Sequence, residues 1–265
     1  MMIAQPHITP PSAFGRIMVL LERERKTRFA GGVLGYLWAY IIPSVWIALI
    51  VGLFIFLDRR PPINVGLEIF VATGVLPYVF FRQTVTSLSR TLSAHRYMRY
   101  FSSVTQDDIL WASKLLEGFN LLVSAVLIFG AVTIIFGSQL PASVPGALFG
   151  LCLAWMLGCG IGRFVAIGGQ LSDTFARAVP LALRPLFWLS GIFYTAAELP
   201  AKVQDILWYS PFLHVTEIVR QGYFLGFTSQ FASAWYPIAI AALFFLASIP
   251  LERFAERRRI MRGRL

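Results

Sequence analysis

The chain is short of charge, cysteine and histidine, and each shortage closes off a class of function. Only 14% of its 265 residues are Asp, Glu, Lys or Arg, against about 25% in soluble domains. With 57% hydrophobic residues and recurring apolar runs of roughly twenty, the sequence reads as an all-α integral membrane protein, with no length left for a second soluble domain. The two cysteines, Cys152 and Cys159, share one apolar run. On a helix their Cα atoms stand about 10 Å apart, too far for a disulfide, so they read as packing residues. The histidines His7, His95 and His214 fall in separate compartments under the topology below, so they cannot share a metal. There is no H-E-x-x-H, hence no predicted metal site, and no G-x-x-x-x-G-K-[ST] loop to hold ATP. No motif for catalysis stands out, and there is no solenoid repeat. No secretory signal opens the chain: the first apolar run begins after residue 30, with no small-residue cleavage site after it.

What charge there is lies at particular places. The net charge is +10. Arg23, Arg25, Lys26 and Arg28 precede the first apolar run; Arg253, Arg257, Arg258, Arg259, Arg262 and Arg264 follow the last. Lys and Arg of short loops stay on the cytoplasmic side. Both termini are therefore expected in the cytoplasm, which requires an even number of spans. Charges that flank spans point to the membrane surface rather than to nucleic acid.

Residues 12–32 form a predicted basic amphipathic helix along the interface, with Phe14, Ile17, Met18 and Leu21 on one side. Residues 33–194 hold five predicted spans: about Leu34–Leu57, Gly66–Leu88, Leu110–Phe136, Val144–Val165, and a fifth over the run Ala178–Phe193 with Arg184 and Pro185 inside it. Ser89–Leu116 is expected in the cytoplasm, and Gln170–Arg177 as a brief turn there. Asp58–Val65 and Ser138–Pro145 are the outer turns. Arg82 lies near the inner end of the second span, where a long side chain can snorkel. Gly158, Gly160 and Gly162 read as close helix packing rather than a nucleotide loop. The sixth span is 231–251, and 252–265 is a basic cytoplasmic tail.

Residues 195–230 are too polar to cross a bilayer and too aromatic for a solvated loop. They carry Glu198, Lys202, Asp205, Glu217 and Arg220 beside Trp208, Tyr209, Phe212, Tyr223, Phe224 and Phe227. Pro211 divides them, since proline lacks the amide hydrogen a continuous helix needs. The pattern predicts two short re-entrant helices on the outer face, about Lys202–Tyr209 and Phe212–Leu225. Backbone at that depth needs protein or a cavity beside it. Glu217 and Arg220, three apart, share a helix face and are expected to pair.

Arg23–Pro43, R-x-R-K-T-R-F-A-G-G-V-L-G-Y-L-W-A-Y-I-I-P, resembles the first-span signature of ABC-2 type exporter permeases. Tyr209–Phe224, Y-S-P-F-L-H-V-T-E-I-V-R-Q-G-Y-F, resembles the segment before their last span. The combination is most similar to the inner-membrane permease of Gram-negative capsular polysaccharide exporters, and the resemblance spans nearly the whole chain. It implies a homodimer in the bacterial inner membrane on two copies of a separate ATPase, which binds the ATP and Mg. It implies a conduit for a lipid-linked polysaccharide, and periplasmic and outer-membrane export partners. Related permeases move O-antigen or teichoic acids. On this resemblance, Arg90, His95, Arg96 and Arg99 are candidates for coupling to the ATPase. The outer helices are expected to cap the conduit and to present Tyr223 and Phe224 there.

A conduit for sugar needs walls that hold it loosely, and aromatic rings stack on the apolar faces of sugars. Tyr36, Tyr40, Pro43, Ile47 and Phe54 fall along one side of the first span; Arg184, Phe187, Gly191 and Tyr194 form a second stripe at helical spacing. Arg184 suits an acidic sugar or a lipid-carrier phosphate. Trp38 and Trp46 fall on another side and are assigned to packing or lipid. A secondary transporter or channel is the competing class, but its ion relay would want carboxylates or His at depth, and the ionisable residues here are few and near span ends. A membrane transferase would want paired carboxylates. Asp107 and Asp108 are neighbours and point apart on a helix.

Overall fold

The structure is a computed structural model that describes residues 12–28, 33–95 and 104–262, with the side chains of 28, 33–39, 173 and 259–262 left out. Helices are the only regular secondary structure among the described residues. The helices are α1 (Ala13–Arg28), α2 (Val33–Phe56), α3 (Leu67–Ala94), α4 (Gln106–Phe136), α5 (Val144–Leu171), α6 (Asp173–Ala182), α7 (Ala201–Leu207), α8 (Pro211–Tyr223) and α9 (Trp235–Arg262). Four among the described residues are long and apolar enough to cross a membrane: α3, α4, α5 and α9 over Trp235–Arg258. The described side chains of α2 add a shorter apolar helix, Tyr40–Phe56. This is the build of a multi-pass membrane protein. The turns at 57–66 and 137–143 mark the end called upper here; α1 and the C-terminus of α3 mark the lower.

The hub is α5, which packs against α3, α4, α6, α8 and α9. Its small residues explain why. A Cβ at Gly158 would press on Thr84 and the Phe81 carbonyl of α3, and one at Gly160 would overlap the Ala241 carbonyl of α9. The G-x-G-x-G run is close helix packing, as the sequence predicts. At the upper end Gly222 of α8 meets the backbone of Gly146 and Ala147 so closely that no Cβ fits. There the amides of Ala142 and Ser143 donate to the carbonyls of Tyr223 and Gly222.

At the lower end α1 lies on the bundle, with Ile17, Leu20 and Leu21 packed among Leu88, Leu92, Ile109 and Leu110. Phe14 and Met18, expected on the same side as Ile17, are exposed. The predicted cytoplasmic stretch Ser89–Leu116 is shorter than expected: α3 continues to Ala94 and α4 starts at Gln106. Thr105 sets that start, its hydroxyl accepting from the Asp108 amide while Asp108 accepts from the Thr105 amide. The predicted turn Gln170–Arg177 shrinks to Ser172, which ends α5 and caps α6 through its hydroxyl.

The fifth predicted span is not one helix. It runs as α6, then a 3₁₀ turn at Pro185–Phe187, then non-helical chain to Thr195. Pro180 and Pro185 each remove an amide donor from the helical ladder. Gly191 takes φ +76°, a conformation side chains other than glycine's resist. Arg184, Phe187, Gly191 and Tyr194 therefore do not form a helical stripe. The segment still climbs along α3 and α2: a Cβ at Gly74 would meet the Ile192 backbone, and Phe193 stacks on Phe54 at 6.3 Å.

Candidate functional site

Non-helical backbone inside an apolar bundle must find hydrogen bonds from its surroundings. The Tyr78 hydroxyl donates to the Leu183 carbonyl at 3.1 Å. Ser210 donates to Leu189 at 3.3 Å, and Thr216 to Ser190 at 2.7 Å. Arg220 Nη1 donates to the Tyr194 carbonyl at 2.8 Å. The Ala196 amide donates to Glu217 Oε1 at 3.3 Å. Within the segment, Tyr194 turns its own hydroxyl onto the Trp188 carbonyl at 3.0 Å. Three of these groups, Thr216, Glu217 and Arg220, come from α8, where Pro211 starts the helix and Phe212, Leu213, Val215 and Val219 are buried. Glu217 and Arg220 pair as expected, at 3.5 Å with both side chains buried. Their principal work is to hold the broken crossing.

The break opens a cavity of about 390 Å³ between α2, α3 and the 3₁₀ turn, lined by Trp46, Tyr78, Val79, Arg82, Arg184, Phe187 and Trp188. Phe187 is its hub: Trp46 lies 5.4 Å from it, Tyr78 5.2 Å and Trp188 5.7 Å, centre to centre. Two guanidinium groups and four aromatic side chains share one wall. Such a surface offers stacking faces to sugar rings and charge to a carboxylate or phosphate.

Of the residues proposed from sequence, the cavity brings together Arg184 and Phe187. Tyr194 and Gly191 shape the segment beside it. Phe54 is only 2% exposed, in the core; Pro43 and Ile47 share that buried face of α2, so the stripe packs helices. Tyr40 is half-buried, and the Tyr36 side chain lies outside the described residues. Trp46, assigned to packing or lipid, lines the cavity. Tyr78 and Arg82 were missed as partners, although their spacing of four places them on one helix face. Trp188 had no sequence signal, because its position depends on the break.

The other candidates separate by place. Trp208 and Tyr209 end the α7 turn. The His214 ring bonds the Trp208 carbonyl at 2.8 Å. Tyr223 and Phe224 are 0% and 2% exposed, so the expected outward presentation is absent: α8 is packed on α5 too closely. Beside α8 a cavity of about 530 Å³ is lined by Gln204, Glu217, Thr228, Ser229 and neighbours. At the lower end Arg90 is exposed, and Arg96 and Arg99 lie outside the described residues. His95 bonds Glu24 of α1 at 3.1 Å. That hydrogen bond, with the Thr91 carbonyl, raises the imidazole above its ordinary pKa of 6.5, outweighing burial. Sequence reasoning also missed an ionic clamp there. Arg163 of α5 holds Asp107 of α4, Glu252 of α9 at 2.7 Å and the Ser248 hydroxyl at 2.9 Å. Arg16 of α1 holds Asp108 at 2.9 Å.

The sequence matches the ABC-2 type transporter family over residues 15–224. Among curated proteins it is 26% identical to the polysialic acid transport protein KpsM of Escherichia coli, over 91% of this chain and 93% of that one. It is 26% identical to the capsule polysaccharide export inner-membrane protein CtrC of Neisseria meningitidis, over 83% of each chain. It is 23% identical to the O-antigen export system permease protein RfbA of Klebsiella pneumoniae, over 75% of this chain and 76% of that one.

Proposed function

Because the chain belongs to the ABC-2 type transporter family, we propose that it is the membrane permease of an ATP-driven exporter of capsular polysaccharide. The observation that carries this is end-to-end similarity to capsule export permeases, with nine-tenths of both chains aligned in the KpsM comparison. The cargo on this reading is a lipid-linked polymer, and a separate ATPase supplies the energy. Two copies of the chain build the conduit. Four long helices, α2 and the broken crossing make six passes, with both termini and the lower end in the cytoplasm. The excess of Arg and Lys at the lower end supports that orientation.

The chemistry of the Arg82–Arg184 cavity supports the reading. A polymer in transit needs many weak contacts, and the aromatic cluster around Phe187 offers stacking without a tight pocket. The two arginines suit acidic sugars or the phosphate of a lipid anchor. Arg90 and His95, near the α1–α3 junction, remain the candidates for contact with the ATPase.

The test is deletion of the chain in its native cell. Surface capsule should disappear while polymer accumulates inside, and wild-type chain supplied in trans should restore it. Unchanged surface capsule overturns the reading. Loss of O-antigen with capsule intact supports the second reading, which the RfbA similarity favours.

A further inference from the structure

Away from that cavity, Lys114 of α4 is only 3% exposed, and its ammonium has no hydrogen-bond acceptor or ion-pair partner among the described residues. Its contacts are aromatic: Nζ stands 4.5 Å from the Trp111 ring centre and 5.7 Å from that of Phe245. It lines a groove of about 360 Å³ between α4, α5 and α9, whose other walls include Trp155, Met156, Cys159 and Leu246. The groove is apolar but for this one cation.

The geometry aims the charge. Helical side chains lean toward the N-terminus, so Lys114 leans to the lower end of α4, over Trp111 one turn back. Asp107 lies seven residues earlier, about 10 Å along the axis. It and Glu252 are both engaged by Arg163, whose guanidinium lies 5.1 Å from the same Phe245 ring. Rings stabilise a cation but do not neutralise it. An unpaired ammonium in an apolar setting is costly, and basic pockets between membrane helices take anionic headgroups.

We propose that this groove binds an anionic phospholipid of the surrounding membrane. The acyl chain lies along Trp155, Met156 and Leu246, and the headgroup phosphate receives the Lys114 ammonium. The site shares no residue with the Arg82–Arg184 cavity, so it stands whether or not the cargo is capsule.

The test uses the full chain in detergent, titrated with brominated phosphatidylglycerol or brominated phosphatidylcholine, with tryptophan quenching as the readout. Wild type should be quenched by phosphatidylglycerol at a concentration about tenfold lower, because the choline cation of phosphatidylcholine offsets the phosphate charge that Lys114 receives. Lys114→Arg should keep the preference. Lys114→Met, an apolar side chain of similar length in an apolar groove, should abolish it. Trp111→Phe and Trp155→Phe together, which remove both groove tryptophans, should remove the preferential part of the quenching whatever the stability of the Lys114 variants. The proposal is overturned if wild type shows no preference, if Lys114→Met retains it, or if the variant lacking both groove tryptophans keeps the preferential quenching.

Discussion

The guanidinium carbon of Arg220 lies 4.1 Å from the centre of the Phe70 ring, fastening α8 to the upper part of α3. The same group donates to the Tyr194 carbonyl, so one side chain joins two helices and the non-helical crossing. Arg220→Met leaves Glu217 buried without its cation and the Tyr194 carbonyl without its donor. The expected loss is about 3–5 kcal/mol, the scale for breaking a buried pair. Unfolding of the purified variant measures it. Adding Glu217→Gln should recover part of the loss, because the stranded carboxylate is gone. Equal stability of Arg220→Met and wild type contradicts the latch.

Gly222→Ala tests the closest approach of α8 to α5. Its Cβ would meet the backbone of Gly146 and Ala147, which cannot give way as a flexible side chain can. Overpacking of this kind costs about 1–3 kcal/mol. The midpoint of thermal unfolding should fall accordingly, whereas Gly130→Ala, with open space around it inside α4, should not lower the midpoint, since Ala suits a helix interior better than Gly.

How far the sequence carried the fold shows in these same elements. Apolar run length located α2 through α5 and α9, because a helix that must cross an apolar layer has its length set by that layer. The proline and charge pattern of 195–230 located α7 and α8 within a few residues. The fifth crossing was misread because composition alone does not distinguish an apolar helix from an apolar segment held open by its neighbours. The hydrogen bonds that permit the break come from Tyr78, Ser210, Thr216 and Arg220, up to about a hundred residues away. Arg184 and Phe187 were legible as candidates by residue type. Trp46, Tyr78 and Trp188 join them only through tertiary packing.

The His95–Glu24 contact ties α1 to the end of α3 and makes that junction sensitive to pH. The folded pKa of His95 is raised, chiefly by the Glu24 hydrogen bond. Its stabilising contribution is therefore fully present below the ordinary value near 6.5, and it is lost as pH rises through the raised value. The amount is on the order of 1 kcal/mol for this partly buried pair. Comparing wild type with His95→Gln, the stability difference should be largest at low pH and shrink above neutrality. A difference that grows with pH contradicts the bridge.

Arg184→Gln and Phe187→Ala probe the cavity. If Arg184 meets the anionic cargo as proposed, Arg184→Gln removes a charge-assisted contact of about 1.5–3 kcal/mol, and surface capsule should fall roughly tenfold or more with protein level unchanged. Phe187→Ala removes the ring on which Trp46, Tyr78 and Trp188 converge and should lower export similarly. Quantitative capsule assays beside immunoblots of membrane fractions check both. Full export in both variants moves the polymer path elsewhere.

ATP-driven export through this chain is measured by transport in proteoliposomes. The chain is reconstituted with a separate P-loop ATPase co-purified with it from native membranes, and lipid-linked polymer is supplied on the ATPase side. Polymer should become protected from an added glycan hydrolase only when ATP is hydrolysed, and protection should be lost when the ATPase is omitted. Protection driven by an ion gradient without ATP, or none despite active hydrolysis, contradicts the account.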